Sequence, residues 1–264
     1  MTDWVDASRR GLEQQGRIVS NMLNGDSESE PTNQPRSARA YAAIREAILT
    51  SRLAPGLPIT ESYLARELKM SKTPIREALQ RLASEDLVVL DPFRGASVRP
   101  VSPQLVTDLY EIRALLEPLA VRQAAPHLDD DAISRLRAAV AEGSSALAQF
   151  DVPEMGRANW VFHAVLIEHA SNPQLKRILQ AIEDQFRSFT TVIWLGPDVR
   201  AREHQDHAAI LAALDSGQEP SVVGDLMADH LSTIKKAVVD AVAASESEDV
   251  APFGPPLPRG AGGR

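Results

Sequence analysis

The chain has 264 residues, 44% of them hydrophobic, no cysteine, and a formal net charge of −8. This length allows one or two domains with cores of their own. The lack of cysteine excludes disulfides and thiolate chemistry and suits a reducing cytoplasm, the compartment we expect. No run approaches the roughly 18 apolar residues of a membrane span, and the N-terminal MTDWVDASRRGLEQQ has no apolar signal-peptide core.

An acidic total argues against a nucleic-acid partner only if the charge is evenly spread. It is not. Residues 36–100 hold 11 Lys/Arg against 7 Asp/Glu, a net of +4, and the remainder carries −12. A basic module on an acidic body suits a phosphate-binding head whose body stays off the duplex.

Residues 1–36 are polar and end in Asn-Gly-Asp-Ser-Glu-Ser-Glu-Pro-Thr-Asn-Gln-Pro, which reads as a disordered or mobile arm. A DNA-binding domain is expected over 37–101. Its first helix spans about 37–52 through Tyr41, Ile44, Ile48 and Leu49, and Leu53-Ala54-Pro55-Gly56 stops it. A short amphipathic segment follows with Ile59, Leu64, Ala65 and Leu68 apolar. After Lys69-Met70, Ser71 is placed to cap a second helix, with Pro74 in its first turn. Ile75, Ala78, Leu79 and Leu82 mark one face of that helix, and Lys72, Arg76 and Gln80 lie four apart on another. Two short helices and a tight turn describe a helix-turn-helix. Leu87-Val88-Val89-Leu90 and Ala96-Ser97-Val98-Arg99 read as strands around an Asp91-Pro92-Phe93-Arg94-Gly95 turn, hence a wing. Gly95 permits close backbone approach to a phosphate or a groove floor.

The run Ser71-Lys72-Thr73-Pro74-Ile75-Arg76-Glu77-Ala78-Leu79, with Leu53-Ala54-Pro55-Gly56, Ile59-Thr60-Glu61, Leu64-Ala65 and Gly95-Ala96-Ser97-Val98, resembles the winged-helix domain of GntR-family transcriptional regulators. The resemblance implies that Ser71, Lys72, Thr73, Arg76, Arg94 and Gly95 meet double-stranded DNA. Lys72 stands where the family usually has Arg, and Ser62 where members often place a DNA-contacting Arg. Lys69 stands where Gly is frequent, at a helix end that favours positive φ. A Lys holding that conformation costs on the order of 1 kcal/mol.

From 102 to 243 the pattern is helical, with no strand signal, so a C-terminal antiparallel helical bundle is expected. The first helix carries Leu105, Leu109, Ile112, Leu116 and Leu119, with Pro118 bending it. Others are expected over about 129–149 (capped by Asp129), 153–170, 174–195, 199–216 and 219–243. Residues 244–264, Ser/Glu-rich and then Pro/Gly-rich, read as a disordered tail.

Asn159 and His163 share one helix face, and His207 and His230 lie on two other helices. They could converge on one metal in a bundle, and imidazole suits zinc, nickel, copper or iron. Spacing alone leaves this open, since isolated histidines on helices are more often surface or core groups. Arg113 and Glu117, four apart, can form an ion pair, or Arg113 can grip a carboxylate ligand bidentately.

Asn159-x-x-Phe162-His163, Glu203 to Ala213, Met227 to Leu231 and Tyr110-Glu111-Ile112-Arg113 resemble the FCD effector-binding domain of the FadR-like branch of the same family. The resemblance implies a divalent metal, zinc or nickel, held by His163, His207, His230 and Asn159. It also implies a small carboxylate effector, with Arg113 as its anchor. Asn159 replaces the usual carboxylate, so metal binding should be weakened. His204, one turn before His207, is a possible substitute ligand. The function expected is a homodimeric regulator on a palindromic operator, with no membrane partner. An enzyme reading lacks support: no paired Glu-x-x-His, no His-Glu-x-x-His and no Gly-rich phosphate loop occurs. A purely structural helical protein would leave the basic head and the histidine positions unexplained.

Overall fold

The computed structural model describes residues 34–247 apart from Arg94 and 191–195. The expected wing contact of Arg94, the end of the fourth bundle helix, most of the N-terminal arm and the tail beyond 247 therefore lie outside the described residues. The chain divides into two compact units, residues 1–100 and 101–264.

In the first unit α1 (Arg36–Leu49), α2 (Glu61–Glu67) and α3 (Lys72–Ser84) pack on a three-stranded antiparallel sheet: β1 (Pro58–Ile59), β2 (Val88–Asp91) and β3 (Gly95–Val98), in the order β1-β3-β2. Ile44, Ile48, Leu64, Ile75, Leu79, Leu82 and Val98 share its core. Polar contacts pin α1 to the end of α3: the Tyr41 hydroxyl donates to Glu85 at 2.7 Å, and the Arg81 guanidinium lies 3.6 Å from the Tyr41 ring centroid.

Two expectations need correction here. Ile59, read as part of a helix, pairs with Ala96 in β1, because Pro55-Gly56 turns the chain back along β3. Ser71 occupies the N-cap position of α3 in an extended conformation, but its hydroxyl makes no capping hydrogen bond and stays exposed. The capping hydroxyl is instead on Thr60, which accepts from the Tyr63 N–H at 3.1 Å to start α2. At the end of α2, Lys69 does hold the left-handed conformation, φ 51°. The Met70 and Lys69 amides donate to Ala65 and Arg66, a paired closure that ends the helix.

Among the described residues the second unit is a bundle of six α-helices: α4 (Pro103–Ala124), α5 (Asp130–Gln149), α6 (Val152–Glu168), α7 (Pro173–Thr190), α8 (Pro197–Asp215) and α9 (Pro220–Ser247). Ser102, Asp129 and Asp151 cap α4, α5 and α6 through side-chain oxygens. α9 runs four residues past 243, so residues 244–247 belong to the helix rather than the tail. α4 and α9 pack along each other, α6 touches α4, α5 and α7, and α8 packs on α5 and α9. Phe162, Leu166, Ile182, Phe186, Phe189, Ile210 and Met227 occupy the common core. The apolar pattern read on α4 splits between two faces. Leu109 is buried, whereas Ile112, Leu115 and Leu119 form an exposed stripe. No helix among the described residues is long and apolar enough to cross a membrane.

Candidate metal centre and nucleic-acid interface

In the bundle, His163 of α6, His207 of α8 and His230 of α9 are all buried and meet through their Nε2 atoms. His207 Nε2 lies 3.2 Å from that of His163 and 3.3 Å from that of His230. Local structure aims them. Phe162, beside His163, stacks on the His207 ring at 4.3 Å between centroids and fixes its plane. Glu117 Oε2 accepts from His163 Nδ1 at 2.7 Å, and Asp206 Oδ2 faces His230 Nδ1 at 3.4 Å. A carboxylate at Nδ1 places the ring proton there and leaves the Nε2 lone pair facing inward. His207 can donate from its Nε2 to one neighbour at most. At least two lone pairs therefore converge in a buried space, an arrangement that a cation relieves.

The residues present fit a metal. Ligands about 2.0–2.1 Å from zinc lie roughly 3.0–3.4 Å apart, depending on coordination geometry; the two imidazole spacings fall in that range. Burial pushes the His207 imidazole well below its ordinary pKa, with His230 and His163 adding to the effect. Burial also lowers His230, against the opposing pull of Asp206. Burial thus favours the neutral form of both rings, the form that ligates. Asn159, one turn before His163, supplies a buried Oδ1 with no hydrogen-bond partner. It lines two small cavities, about 30 and 20 Å³, that it shares with Arg200 and Glu203. The first also holds His163 and His230, the second His207. Spaces of this size suit an ion and a water or two.

Arg113 is buried beneath this cluster. Its Nε bonds Glu117 Oε1, its Nη2 lies 3.1 Å from Glu183 Oε1, and its Cζ stands 4.3 Å from the Phe186 ring centroid. Burial works against its charge, but Glu117 and Glu183 outweigh that and hold its pKa above the ordinary value. Burial likewise opposes ionisation of Glu117, yet Arg113 and then His163 lower it to about 2. Burial raises Glu183, which Arg113 opposes and Glu117 reinforces. The expected pair with Glu117 is present, and Arg113 also lines the larger cavity, beside Trp160, Arg187 and Arg200. His204 is absent from the cluster, its Nε2 being 2.7 Å from Ser144 Oγ. His169 bonds the Val165 carbonyl and His127 is exposed.

The residues sequence reasoning missed are Glu183, Asp206, Arg200 and the carboxylate role of Glu117 toward His163. Asp206 lies beside His207 in sequence but serves His230, 24 residues away, and no local pattern announces that.

On the first unit, Ser71, Lys72, Thr73, Arg76 and Gln80 are exposed along α3. Arg76 is held by Glu61 of α2 through two hydrogen bonds of 2.8 Å. Gly95 opens β3 with φ 84° and empty space where a Cβ would stand.

A winged helix-turn-helix followed along the chain by a helical bundle defines a DNA-binding transcriptional regulator. Residues 36–98 match the family described as bacterial regulatory proteins, gntR family, and residues 108–233 match the FCD domain. The Nta operon transcriptional regulator of Aminobacter aminovorans is 30% identical over 191 residues, covering 71% of this chain and 89% of the relative. The galactonate operon transcriptional repressor of Escherichia coli K12 is 23% identical over 200 residues, 68% of this chain and 86% of its own. Among solved structures, a GntR regulator from Rhodococcus sp. RHA1 superposes with a TM-score of 0.69 at 24% identity, covering 78% of this chain and 98% of its own. Escherichia coli McbR/YncC gives 0.67 at 20% identity, covering 81% and 99%. The chain belongs to the gntR family of bacterial regulatory proteins and carries its FCD domain; it is a transcriptional regulator, not an enzyme.

Proposed function

We propose that this regulator's operator binding is modulated by a small organic acid through a divalent metal held in the bundle. The observation that carries this reading is the convergence of three buried imidazole Nε2 atoms beside the unpartnered Asn159 Oδ1. His163, His207, His230 and Asn159 would hold the metal, zinc or nickel by donor type. Bound there, it supplies a Lewis-acidic position for an effector oxygen. Asn159 offers a neutral oxygen, so occupancy is expected to be easily reversed by chelators. Glu117 and Asp206 keep the rings of His163 and His230 oriented.

Arg113 is the proposed anchor for the effector carboxylate, with Glu183 as the group to be displaced. The present cavities are too small for an organic acid, so its entry requires the bundle to open. That requirement is what lets a ligand favour one arrangement of the bundle over another. It can change DNA affinity only to the extent that it binds the two arrangements differently. A relative named for the galactonate operon, galactonate being a carboxylate, supports that class of effector.

On DNA, Ser71, Lys72, Thr73 and Arg76 of α3, with Arg94 and Gly95 of the wing, form the proposed contact surface. A homodimer on a palindromic operator fits the exposed Ile112, Leu115 and Leu119 stripe, an apolar surface suited to a second copy. The reading is tested by operator binding in fluorescence anisotropy, titrated with a panel of mono- and dicarboxylates, with zinc or nickel present or chelated. A metal-dependent shift of at least tenfold for some carboxylate is expected. No shift for any acid, with metal bound, would contradict it.

A further inference from the structure

We infer that Glu61 is a positioning residue that locks Arg76 to read a guanine edge rather than a phosphate. The inference rests on the proposal that α3 is the recognition helix. Glu61 is the first residue of α2, held there by the Thr60 cap. From that place its Oε1 accepts from Arg76 Nε, and its Oε2 from Arg76 Nη2, both at 2.8 Å. Bonding through Nε and Nη2 takes one side of the guanidinium. The opposite end, with both Nη1 hydrogens and the second Nη2 hydrogen, stays free and is directed by a planar fork.

Two consequences follow for what that free end can bind. A carboxylate at hydrogen-bond distance offsets the arginine's charge and would repel an approaching phosphate. A base edge is neutral, so the carboxylate costs it little. The free end matches the O6 and N7 acceptors of guanine, the pairing by which arginine discriminates among bases in the major groove. The side chain is also pre-organised: Arg76 is exposed, and without Glu61 it would sample many rotamers. Glu61 and Arg76 both border a groove of about 420 Å³ that continues past Gln80 to Pro92 and Gly95 of the wing. The pair therefore stands on the same surface as the other proposed DNA contacts of its unit.

The test uses full-length protein and a duplex selected from a random library by the wild type, with a scrambled duplex as the non-specific probe. Anisotropy titrations over a range of salt compare wild type with Glu61→Gln, Glu61→Asp, Arg76→Ala and the double variant Glu61→Gln/Arg76→Ala, each checked by thermal melting. Glu61→Gln is expected to lower the specific-to-non-specific ratio at least tenfold. The loss should concentrate at one G·C pair per half-site. Non-specific binding should tighten, with a salt slope steeper by about one unit as Arg76 is released to phosphates. Glu61→Asp keeps the charge but shortens the reach, so it should lose the ratio without the tighter non-specific binding. In the Arg76→Ala background, Glu61→Gln should leave the ratio unchanged. If Glu61→Gln tightens both duplexes equally and keeps the ratio, Arg76 meets a phosphate and the inference is overturned. Unchanged operator binding by Arg76→Ala would instead overturn the assignment of α3 itself.

Discussion

In the first unit Lys72, Thr73, Arg76 and Gln80 stand in solvent along one side of a single helix. In the bundle Arg113, Glu117, His163, Glu183, His207 and His230 are buried and come from five helices. The difference is one of energetic coupling. An exposed side chain on a helix can be removed with little effect on folding, because water replaces what it lost. A buried charge or imidazole cannot, because each depends on a partner from elsewhere in the chain. The DNA-facing surface is therefore open to independent change, whereas the buried cluster stands or falls as a set.

Substitutions can break or sharpen that contrast. The largest effect is expected for Glu117→Ala, which strips His163 Nδ1 of its acceptor and leaves Arg113 with Glu183. Urea unfolding of the bundle should show a loss of about 3–5 kcal/mol, the usual cost of breaking a buried pair. A loss below about 1 kcal/mol would mean that the cluster is not coupled. Next comes Arg76→Ala, expected to weaken operator binding at least tenfold, about 1.4 kcal/mol. Its unfolding free energy should stay within about 0.5 kcal/mol of wild type. A comparable effect is expected for Asn159→Asp, where a carboxylate replaces the orphaned amide oxygen. Calorimetric titration should show zinc or nickel binding tightened on the order of tenfold. Unchanged affinity would remove residue 159 from the ligand set. The smallest is Lys69→Gly. It relieves the left-handed φ and should stabilise the first unit by up to about 1 kcal/mol, read as a shift in its melting temperature.

The same contrast explains what was legible in the sequence. Helix periodicity, a local property of the chain, placed all three helices of the winged unit, whereas the left-handed φ found at Lys69 was suggested by the family resemblance, which has Gly there. The apolar spacing of α4 was also readable, but it could not tell which of two apolar faces is buried: Leu109 packs inside while Ile112 and Leu115 face solvent. β1 was missed because a strand of two residues has no periodicity, and its existence depends on β3, some 38 residues on. Ser71 has the right residue type for a cap, yet residue type does not determine the rotamer. The histidines were legible mainly by resemblance. The carboxylates that orient them were not, since Glu117 lies 46 residues from His163 and Asp206 lies 24 from His230.

The central claim is that three histidines from three helices form one metal centre. Its most direct test is the metal uptake of wild type and His207→Ala, followed by calorimetry and by mass-spectrometric metal content after dialysis against zinc or nickel. Circular dichroism and thermal melting would check that the variant's bundle remains folded, and operator binding that its winged unit does. The account predicts one chelatable ion per wild-type chain at saturation and an affinity at least a hundredfold weaker in His207→Ala. Equal uptake by the two proteins would contradict it and leave the histidines as packing groups of the bundle core.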